Sequence, residues 1–396
     1  MTAYGAAAGA GAGAGGRGRI LIVGAGFAGA VHAHVLAQAG YRVHVIDKRA
    51  HIAGNAYDYT DENGVRVHAY GPHLFHSKSQ KIIDWISQFG DFVPYVHKVR
   101  ALLPNGAHVP LPVNLDTVNA VFGTHFETET EVRAHLATLA LPIAEPANAA
   151  EHLLSHIGPQ LTDLFFRPYT KKMWGFDLED MAVAVVKRIP LRFDRTDTYF
   201  PDDDIQIMPR GGYTALFARI FDHPNITVAL NTAFEKTLLE DYDYCFNAMP
   251  IDEYFGCALG ELPYRSIRFH HETAPGVPEQ DWSVTNYTDG QKFTRETTWH
   301  ALPHHLVQNT GRHTRTREEP CDYRDNHFER YYPVKTADDR YSALYERYKA
   351  LAAAEPGMQF IGRCGTYQYL DMDQVINQSL RSAQNFLDAN RAELQP

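Results

Sequence analysis

The sequence predicts an α/β protein in which a parallel-sheet, dinucleotide-binding domain carries an inserted helical bundle and an antiparallel sheet. Three observations support this architecture. Residues 20–48 have the pattern of a strand, a glycine turn, a helix and a second strand, and residues 116–174 have helical periodicity. Residues 263–334 alternate polar and aromatic side chains, as expected of strands with one solvated or ligand-facing side.

The first strand and its glycine turn give the strongest local signal. Ile20–Val23 is a continuous apolar run, typical of a strand buried on both faces of a parallel sheet. In a dinucleotide site, Gly24 makes the sharp turn, Gly26 lets the backbone approach a diphosphate, and Gly29 lets the helix pack on the strand. Asp47 ends the second strand at the spacing of a carboxylate that binds ribose hydroxyls. The unit therefore predicts a Rossmann-like dinucleotide site rather than a simple packing turn.

Composition excludes several classes of function. The 396-residue chain is 44% hydrophobic with a formal net charge of −10, which argues against a general nucleic-acid binder. Its four cysteines contain no CxxC pair, so neither a zinc knuckle nor a disulfide framework is predicted. His73 and His76 have no third ligand nearby at suitable spacing, so we predict no metal site. No apolar run reaches the roughly 18 residues that a membrane span needs.

The pattern along the chain divides it into discontinuous parts. Glycine-rich residues 1–18 are expected to form a disordered tail. Helical periodicity defines an inserted domain at 112–180, and the stretch that follows it to residue 205 has the length of a mobile lid or binding loop. The dinucleotide-binding domain is assigned to 19–90, 206–260 and 340–396, and the antiparallel sheet to 91–111 and 261–339.

The cofactor is predicted from both ends of the chain. The first unit alone permits an NAD dehydrogenase. Only one dinucleotide fingerprint is clear, however, and the C-terminal stretch GRCGTYQYLDMDQV has the strand–loop–helix arrangement that closes over the flavin in FAD enzymes of the glutathione-reductase type. FAD is therefore favoured over NAD.

Three arginines lie beside aromatic residues in otherwise acidic or neutral surroundings, namely Arg188, Arg295 and Arg363. A guanidinium is always charged and binds two oxygens at once, which suits a diphosphate. Each arginine taken alone is as readily explained by a surface ion pair.

Longer motifs resemble those of one enzyme family. The segments AYGPHLFHS, PYTKKMWG, VVKRIPLRF, NYTDGQKFTR and GRCGTYQYLDMDQVI resemble, in the same order, segments of the bacterial UDP-galactopyranose mutases, and the resemblance covers nearly everything from residue 19 onward. It implies an isomerase that interconverts UDP-galactopyranose and UDP-galactofuranose and serves the synthesis of galactofuranose-containing cell wall polysaccharide. It also implies FAD that must be reduced, a reductant for it, a cytoplasmic location and a homo-oligomer.

The resemblance further implies the course of the reaction. The central-ring nitrogen of reduced flavin would attack the anomeric carbon and displace UDP, giving a flavin–sugar adduct. The adduct would open as an iminium, the sugar would reclose through a different hydroxyl, and UDP would return. A nucleophilic cofactor agrees with the absence of an evident nucleophilic side chain from the sequence.

The substrate residues that the resemblance implies form three groups. The uridine would be held by Phe165, Phe166, Tyr169, Thr170 and Trp174. Arg188 on the mobile loop and Arg295 at a fixed position would bind the diphosphate. Hydroxyl donors would be Tyr199, Tyr369 and either Tyr331 or Tyr332, between which the sequence does not choose.

The residues implied near the cofactor come from both ends of the chain. Arg363 and Asp371 match positions near flavin and sugar, and His73 and His76 match the loop over the flavin ring. Either histidine could adjust the charge of reduced flavin or donate to its adduct, although simple packing fits equally well. We therefore name Arg188, Arg295 and His76 as candidate catalytic residues. The cofactor-binding candidates are Gly24, Gly26, Phe27, Gly29, Asp47, Lys48, Gly54, Asn55, His73, His76, Arg363, Asp371 and Met372.

The chain departs from the family pattern at a few places. Ala53 stands where the family commonly has glycine, and Asp47 stands where a longer Glu is frequent in FAD enzymes. Residues 311–330 match the family least well. Two alternatives stay open on the sequence, a flavin amine oxidase or dehydrogenase and a non-catalytic flavoprotein that binds UDP-sugars.

Overall fold

A computed structural model describes residues 17–187, 191–200 and 205–390. The expected tail at 1–18 therefore lies almost wholly outside the described residues, and Arg188 lies outside them too. Seventeen strands are described: β1 Arg19–Val23, β2 Arg42–Ile46, β3 Asp58–Thr60, β4 Arg66–His68, β5 Phe75–Ser77, β6 Phe92–Pro94, β7 Val99–Leu102, β8 His108–Leu111, β9 Ile205–Pro209, β10 Ile226–Ala229, β11 Tyr244–Asn247, β12 Tyr264–Pro275, β13 Val284–Tyr287, β14 Arg295–Thr298, β15 Arg312–Asp322, β16 Tyr332–Pro333 and β17 Met358–Phe360.

The helices of the described part are twelve α-helices and several short 3-10 turns, with one π-helical turn at Thr162–Phe166. The α-helices are α1 Phe27–Gln38, α2 Gln80–Ile86, α3 Leu115–Phe122, α4 Glu129–Leu139, α5 Ala149–Leu161, α6 Arg167–Trp174, α7 Val183–Lys187, α8 Tyr213–Ile220, α9 Ile251–Tyr254, α10 Arg340–Ala352, α11 Gly362–Gly365 and α12 Met372–Ala389.

The predicted parallel sheet is present and has five strands in the order β10-β2-β1-β11-β17. Ile20 and Ile22 of β1 pack into the core around α1, whereas Leu21 and Val23 pack into a core on the opposite face. The unbroken apolar run thus reflects burial on both faces, as predicted. Asp371 and Gln374 have the sequence pattern of a capping box, and this box is present at the start of α12. Residues of the apolar face of α12, such as Ile376, join the core of α1.

A second sheet has seven strands in the order β16-β12-β15-β14-β13-β7-β8. All its neighbours are antiparallel except β13 and β7, which are parallel. The turn residues DENG and the pair Asn105 and Gly106 each predict a hairpin from the sequence, and both hairpins are present, as β3–β4 and β7–β8. Strand β6 does not join this sheet, because it pairs with β9 in a three-stranded sheet that also contains β5.

Helices α3 to α7 form the helical part between β8 and β9. Asn114 and Asn148 accept hydrogen bonds from the first turns of α3 and α5, and Thr128 and Glu131 form a capping box at α4. The apolar faces of these helices share one core with residues of β7 and β8. Capping residues at each start and apolar spacing within each helix explain why the sequence predicted several short helices here.

Candidate functional site

The glycine turn between β1 and α1 packs tightly. Gly24 has φ +104, a conformation that favours glycine. A Cβ at Gly29 would lie 1.9 Å from the carbonyl oxygen of Gly24, so only glycine lets α1 approach the turn this closely. The first α1 backbone bond runs from Ala30 N to Gly26 O, which leaves the preceding N–H groups directed out of the helix end. Such an end binds anions such as a diphosphate.

A second backbone segment meets this turn. A Cβ at Gly54 would lie 2.9 Å from the Cα of Gly26, so the two glycines bring two backbones together at one point. Ala53, where the family commonly has glycine, takes the left-handed conformation with φ 73, and its N–H donates to Ala25 O at 2.9 Å. The Ala53 methyl group is buried in the α1 core. The methyl group that distinguishes Ala53 from the family's glycine therefore lies in the protein interior.

Asp47 holds the turn from the end of β2. One carboxylate oxygen accepts from Ala25 N at 2.8 Å, and the other accepts from Arg49 N at 2.9 Å. Its position beside the glycine turn agrees with the predicted ribose site, although the carboxylate also has this role in fixing the loop.

A cavity of about 270 Å³ lies at the glycine turn. It is lined by residues predicted to bind the cofactor, which come from the glycine turn, the end of β2 and the segment around Gly54. They are Gly24, Gly26, Asp47, Lys48, Gly54 and Asn55. Its other wall was not predicted: Phe328, Glu329, Arg330 and Cys364 come from the C-terminal half of the chain, and Phe234 follows β10. We call this space the nucleotide cavity. The residues of the unpredicted wall lie mainly in loops, where the sequence has no periodicity that could have marked them.

A larger cavity of about 510 Å³ collects most of the remaining candidates. It is lined by His73, His76, Tyr169, Trp174, Tyr199, Arg295, Tyr331, Tyr332, Arg363, Tyr369, Asp371 and Met372, together with other residues. We call it the central cavity. Arg330 and Cys364 line the nucleotide cavity while their neighbours Tyr331 and Arg363 line the central cavity, so the two spaces share a wall. A dinucleotide bound at the glycine turn could therefore extend into the central cavity.

Arg295 enters the central cavity from the start of β14. Its Nε lies 2.7 Å from a carboxylate oxygen of Glu318, whose side chain is buried. Burial alone would lower the pKa of Arg295, but Glu318 raises that pKa well above its ordinary value. Burial raises the pKa of Glu318, and the Arg295 charge opposes that rise. We conclude that the pair is ionised and holds a permanent guanidinium in place.

Arg363 lies among the cavity tyrosines. Its guanidinium carbon is 5.1 Å from the ring centre of Tyr332 and 5.0 Å from that of Tyr369, and these two rings stack at 5.2 Å. Its Nη2 donates to Tyr331 O at 3.2 Å, whereas its buried Nε has no hydrogen-bonding partner among the described residues. An unused buried donor beside a polar cavity suits an anionic or oxygen-rich ligand.

The tyrosine doublet is distinguished by its hydroxyl groups. Tyr331 donates its hydroxyl to the backbone carbonyl of Tyr70. The hydroxyl of Tyr332 has no hydrogen-bonding partner within the described part of the chain. Burial raises the pKa of both groups, so both hydroxyls stay protonated. Tyr332 is therefore the better candidate donor to a ligand.

His73 is fixed by a chain of buried histidines. Its Nδ1 lies 2.9 Å from Gly71 O and its backbone N–H donates to Nδ1 of His68, whose Nε2 lies 3.0 Å from Nε2 of His305. The contact with Gly71 O places the ring proton on Nδ1, which leaves Nε2 as an acceptor. Burial lowers the pKa of His73 to about 4, a value that includes the opposing effect of the Gly71 hydrogen bond and the smaller lowering effects of Arg363 and Arg295. His73 is thus neutral at pH 7.

Two other histidines line the same cavity. His76 stacks on Phe200 with ring centres 3.7 Å apart, so packing accounts for part of its role. His97 is almost fully buried, and its Nδ1 has no partner among the described residues. Burial lowers the pKa of His97 to about 3, with Arg295 and His76 adding to the effect. His97 is not among the residues predicted from the sequence, because in VPYVHKVR it looks like an ordinary polar position of a strand.

Several predicted residues lie outside both cavities. Phe165 and Phe166 are buried in the core of the helical part, and Thr170 is buried in α6. Phe27 packs in the α1 core and Gly29 acts through packing alone. The structure therefore does not bring Phe165 and Phe166 to the cavity surface with Tyr169 and Trp174.

Within the described ranges, no group of three or more His, Cys, Asp or Glu side chains is arranged to hold a metal ion. The same ranges contain no helix that is both long and apolar enough to cross a membrane.

Comparisons with known proteins agree with this geometry. Residues 164–369 match the UDP-galactopyranose mutase family, and residues 22–89 match the NAD(P)-binding Rossmann-like domain. The chain is 37% identical over 380 residues to a probable UDP-galactopyranose mutase of Klebsiella pneumoniae, with 95% of this chain and 97% of the relative covered. It is 33% identical to a dTDP-fucopyranose mutase of Escherichia coli, with 94% and 99% covered.

Solved structures share the fold. A crystal structure of reduced UDP-galactopyranose mutase superimposes with a TM-score of 0.73 at 18% identity, covering 94% of each chain. Putrescine oxidase bound to putrescine gives a TM-score of 0.55 at 14% identity, with 94% of this chain and 99% of that chain covered. The family match over half the chain and the identity to full-length relatives lead to one conclusion: this chain belongs to the UDP-galactopyranose mutase family.

Proposed function

We propose that this chain is an FAD-dependent mutase that interconverts UDP-galactopyranose and UDP-galactofuranose and works only with reduced flavin. The observation that carries the proposal is the pair of adjoining cavities. One has a helix end suited to a diphosphate and a carboxylate suited to a ribose, and the other has two half-buried arginines and a cluster of tyrosines. The first suits the nucleotide half of FAD. The second suits a sugar nucleotide lying against the flavin half.

Arg295 and Arg363 supply fixed positive charge to the central cavity. Because Glu318 and the surrounding aromatic rings hold them, neither guanidinium must be reorganised when a diphosphate arrives. Tyr332, with its protonated hydroxyl, adds a neutral donor. Arg188 keeps its predicted role as a second diphosphate ligand supplied from the segment after α7.

The flavin, when bound and reduced, supplies a nucleophilic nitrogen for the anomeric carbon, and the residues around it control access and protons. His73 presents a neutral ring whose Nε2 accepts, so it can receive a proton near the flavin without adding positive charge beforehand. His97 brings to the same cavity a further ring nitrogen, Nδ1, that has no partner among the residues the structure describes. The surrounding aromatic rings exclude water from the anomeric centre, which favours return of UDP over hydrolysis.

The sugar nucleotide remains to be distinguished by experiment, since one relative acts on a dTDP-fucopyranose and others carry the UDP-galactopyranose name. Purified protein, reduced with dithionite under nitrogen, would be given UDP-galactopyranose or dTDP-fucopyranose, and the furanose products would be separated by chromatography. We expect conversion of the UDP-sugar with the higher kcat/KM. Preference for dTDP-fucopyranose would overturn the substrate assignment, and binding of either sugar without turnover would support a non-catalytic flavoprotein.

The proposal also includes a reductant for the flavin, and it retains the cytoplasmic location and the homo-oligomer that the family resemblance implies. Light scattering coupled to gel filtration would measure the oligomer directly. Consumption of oxygen or NAD with an amine or other reduced substrate would instead favour the oxidase or dehydrogenase alternative.

A further inference from the structure

The loop Asn326–Glu329 forms one edge of the nucleotide cavity. Phe328 lines this cavity, yet 60% of its side chain is exposed, the largest value among the large apolar side chains in the described part of the chain. Exposing a phenylalanine ring to water is unfavourable. The position therefore calls for a ligand surface that covers the ring.

The loop is held at both ends. Asn326 Nδ2 donates to Ser266 Oγ at 2.9 Å and to Ile267 O at 3.2 Å, and Glu329 accepts from Arg49 Nη2 at 2.6 Å. Arg49 itself lines the cavity, and its Nη1 donates to Asn55 Oδ1 at 2.9 Å. One anchor thus lies on the seven-stranded sheet and the other on the segment that follows Asp47.

Between these anchors the backbone is strained. His327 and Phe328 have φ 54 and φ 59, left-handed values that non-glycine residues adopt at a cost in free energy. Two such residues in succession persist because the anchors fix the chain on either side. This conformation places the Phe328 ring at the edge of the cavity, where it meets the Tyr323 ring edge-on with the ring centres 6.0 Å apart.

The position of the ring identifies the part of the ligand it would meet. The glycine turn accounts for the diphosphate and Asp47 lies on the ribose side, so the base extends to the remaining walls, which include Thr232, Phe234 and Phe328. A purine has a flat aromatic face suited to stacking on phenylalanine.

We propose that Phe328 stacks on the adenine ring of the bound cofactor and that the loop Asn326–Glu329 clamps the nucleotide end of FAD. This inference rests on the proposed FAD cofactor. It gives a binding role to the part of the chain, 311–330, that resembles the family least.

The test measures the rate of FAD release from the holoenzyme after dilution, followed by the recovery of flavin fluorescence. Loss of base–aromatic stacking in Phe328→Ala should speed release about tenfold, since such stacking contributes roughly 1–3 kcal/mol per base. Phe328→Trp should release FAD at the wild-type rate. Phe328→Leu, which keeps apolar bulk but not the aromatic face, should resemble Phe328→Ala. The matched control is Tyr59→Ala, which removes an exposed aromatic ring outside both cavities.

A second measurement separates the two halves of the cofactor. In protein freed of flavin, ADP should bind about tenfold more weakly to Phe328→Ala than to wild type, whereas FMN, which lacks adenine, should bind both equally. Unchanged FAD release and unchanged ADP affinity would overturn the clamp. A wild-type protein that purifies without flavin and does not bind FAD would instead refute the proposed cofactor, so the two failures are distinguishable.

Discussion

Replacing Gly29 with alanine should destabilise the fold, because the added methyl group has no space. Its Cβ would lie 1.9 Å from Gly24 O and 3.0 Å from Ile22 Cγ2. Real Cβ atoms do not approach closer than 3.0 Å, so α1 and the turn would have to separate by about 1.1 Å (3.0 − 1.9). Overpacking of this kind costs about 1–3 kcal/mol, and the rigid backbone contact places Gly29→Ala at the upper end. The better helix propensity of alanine offsets about 1 kcal/mol, which leaves a net loss of about 2 kcal/mol.

Gly26→Ala is the matched control within the same turn. Gly26 has φ −83, and its added Cβ would meet nothing closer than Gly54 Cα at 3.7 Å. The free energy of unfolding of Gly26→Ala should therefore stay within about 1 kcal/mol of the wild-type value. Its flavin content should fall, because the methyl group occupies the space through which the backbone approaches the diphosphate. Urea unfolding of flavin-free protein and flavin absorbance per chain measure the two effects. Wild-type stability of Gly29→Ala, or full flavin retention by Gly26→Ala, would refute this account of the turn.

Three further predictions concern the central cavity and its surroundings. Arg295→Met should lower the free energy of unfolding, measured with urea, by about 3–5 kcal/mol, because it leaves Glu318 buried without its partner. A loss no larger than that caused by removing one partner of an exposed ion pair in the same sheet would contradict this prediction. Tyr331→Phe should lower the free energy of unfolding by about 1 kcal/mol with little effect on UDP binding, whereas Tyr332→Phe should weaken UDP binding at unchanged stability. Urea unfolding and isothermal titration with UDP measure the two effects, and weaker UDP binding by Tyr331→Phe alone would mean that Tyr331 is the ligand donor. Burial lowers the pKa of His305 to about 4. The unfolded chain therefore binds more protons between pH 6.5 and 4, and stability should fall as pH falls through that window and stay level above it. Urea midpoints measured from pH 8 to pH 4 would contradict this if they rose toward acid.

The sequence predicted the features that depend on local pattern. The β1–α1–β2 unit followed from an apolar run, three glycines and an acid at fixed spacing, and each occupies the expected place. The hairpins and the capping box of α12 also followed, because turn and cap residues act within a few positions of themselves. The family motifs located most of the residues that line the central cavity.

Features that depend on packing between distant segments did not follow. The burial of His97, whose Nδ1 has no partner in the described ranges, and the neutral state of His73 arise from neighbours on other strands and loops. Phe165 and Phe166 looked like ligand contacts in the motif, but the helical part uses both rings in its own core. The exposed ring of Phe328 lies in a loop without periodicity, so no pattern marked it.

The redox dependence of turnover shows whether the flavin acts as a nucleophile or as an electron carrier. One preparation would be assayed with UDP-galactopyranose in its oxidised form and after reduction, and the flavin spectrum would be recorded before and after many turnovers. We expect furanose formation only by the reduced protein, with product far exceeding flavin and the flavin still reduced at the end. Equal activity of the oxidised protein, or reoxidation of one flavin for each product formed, would contradict it.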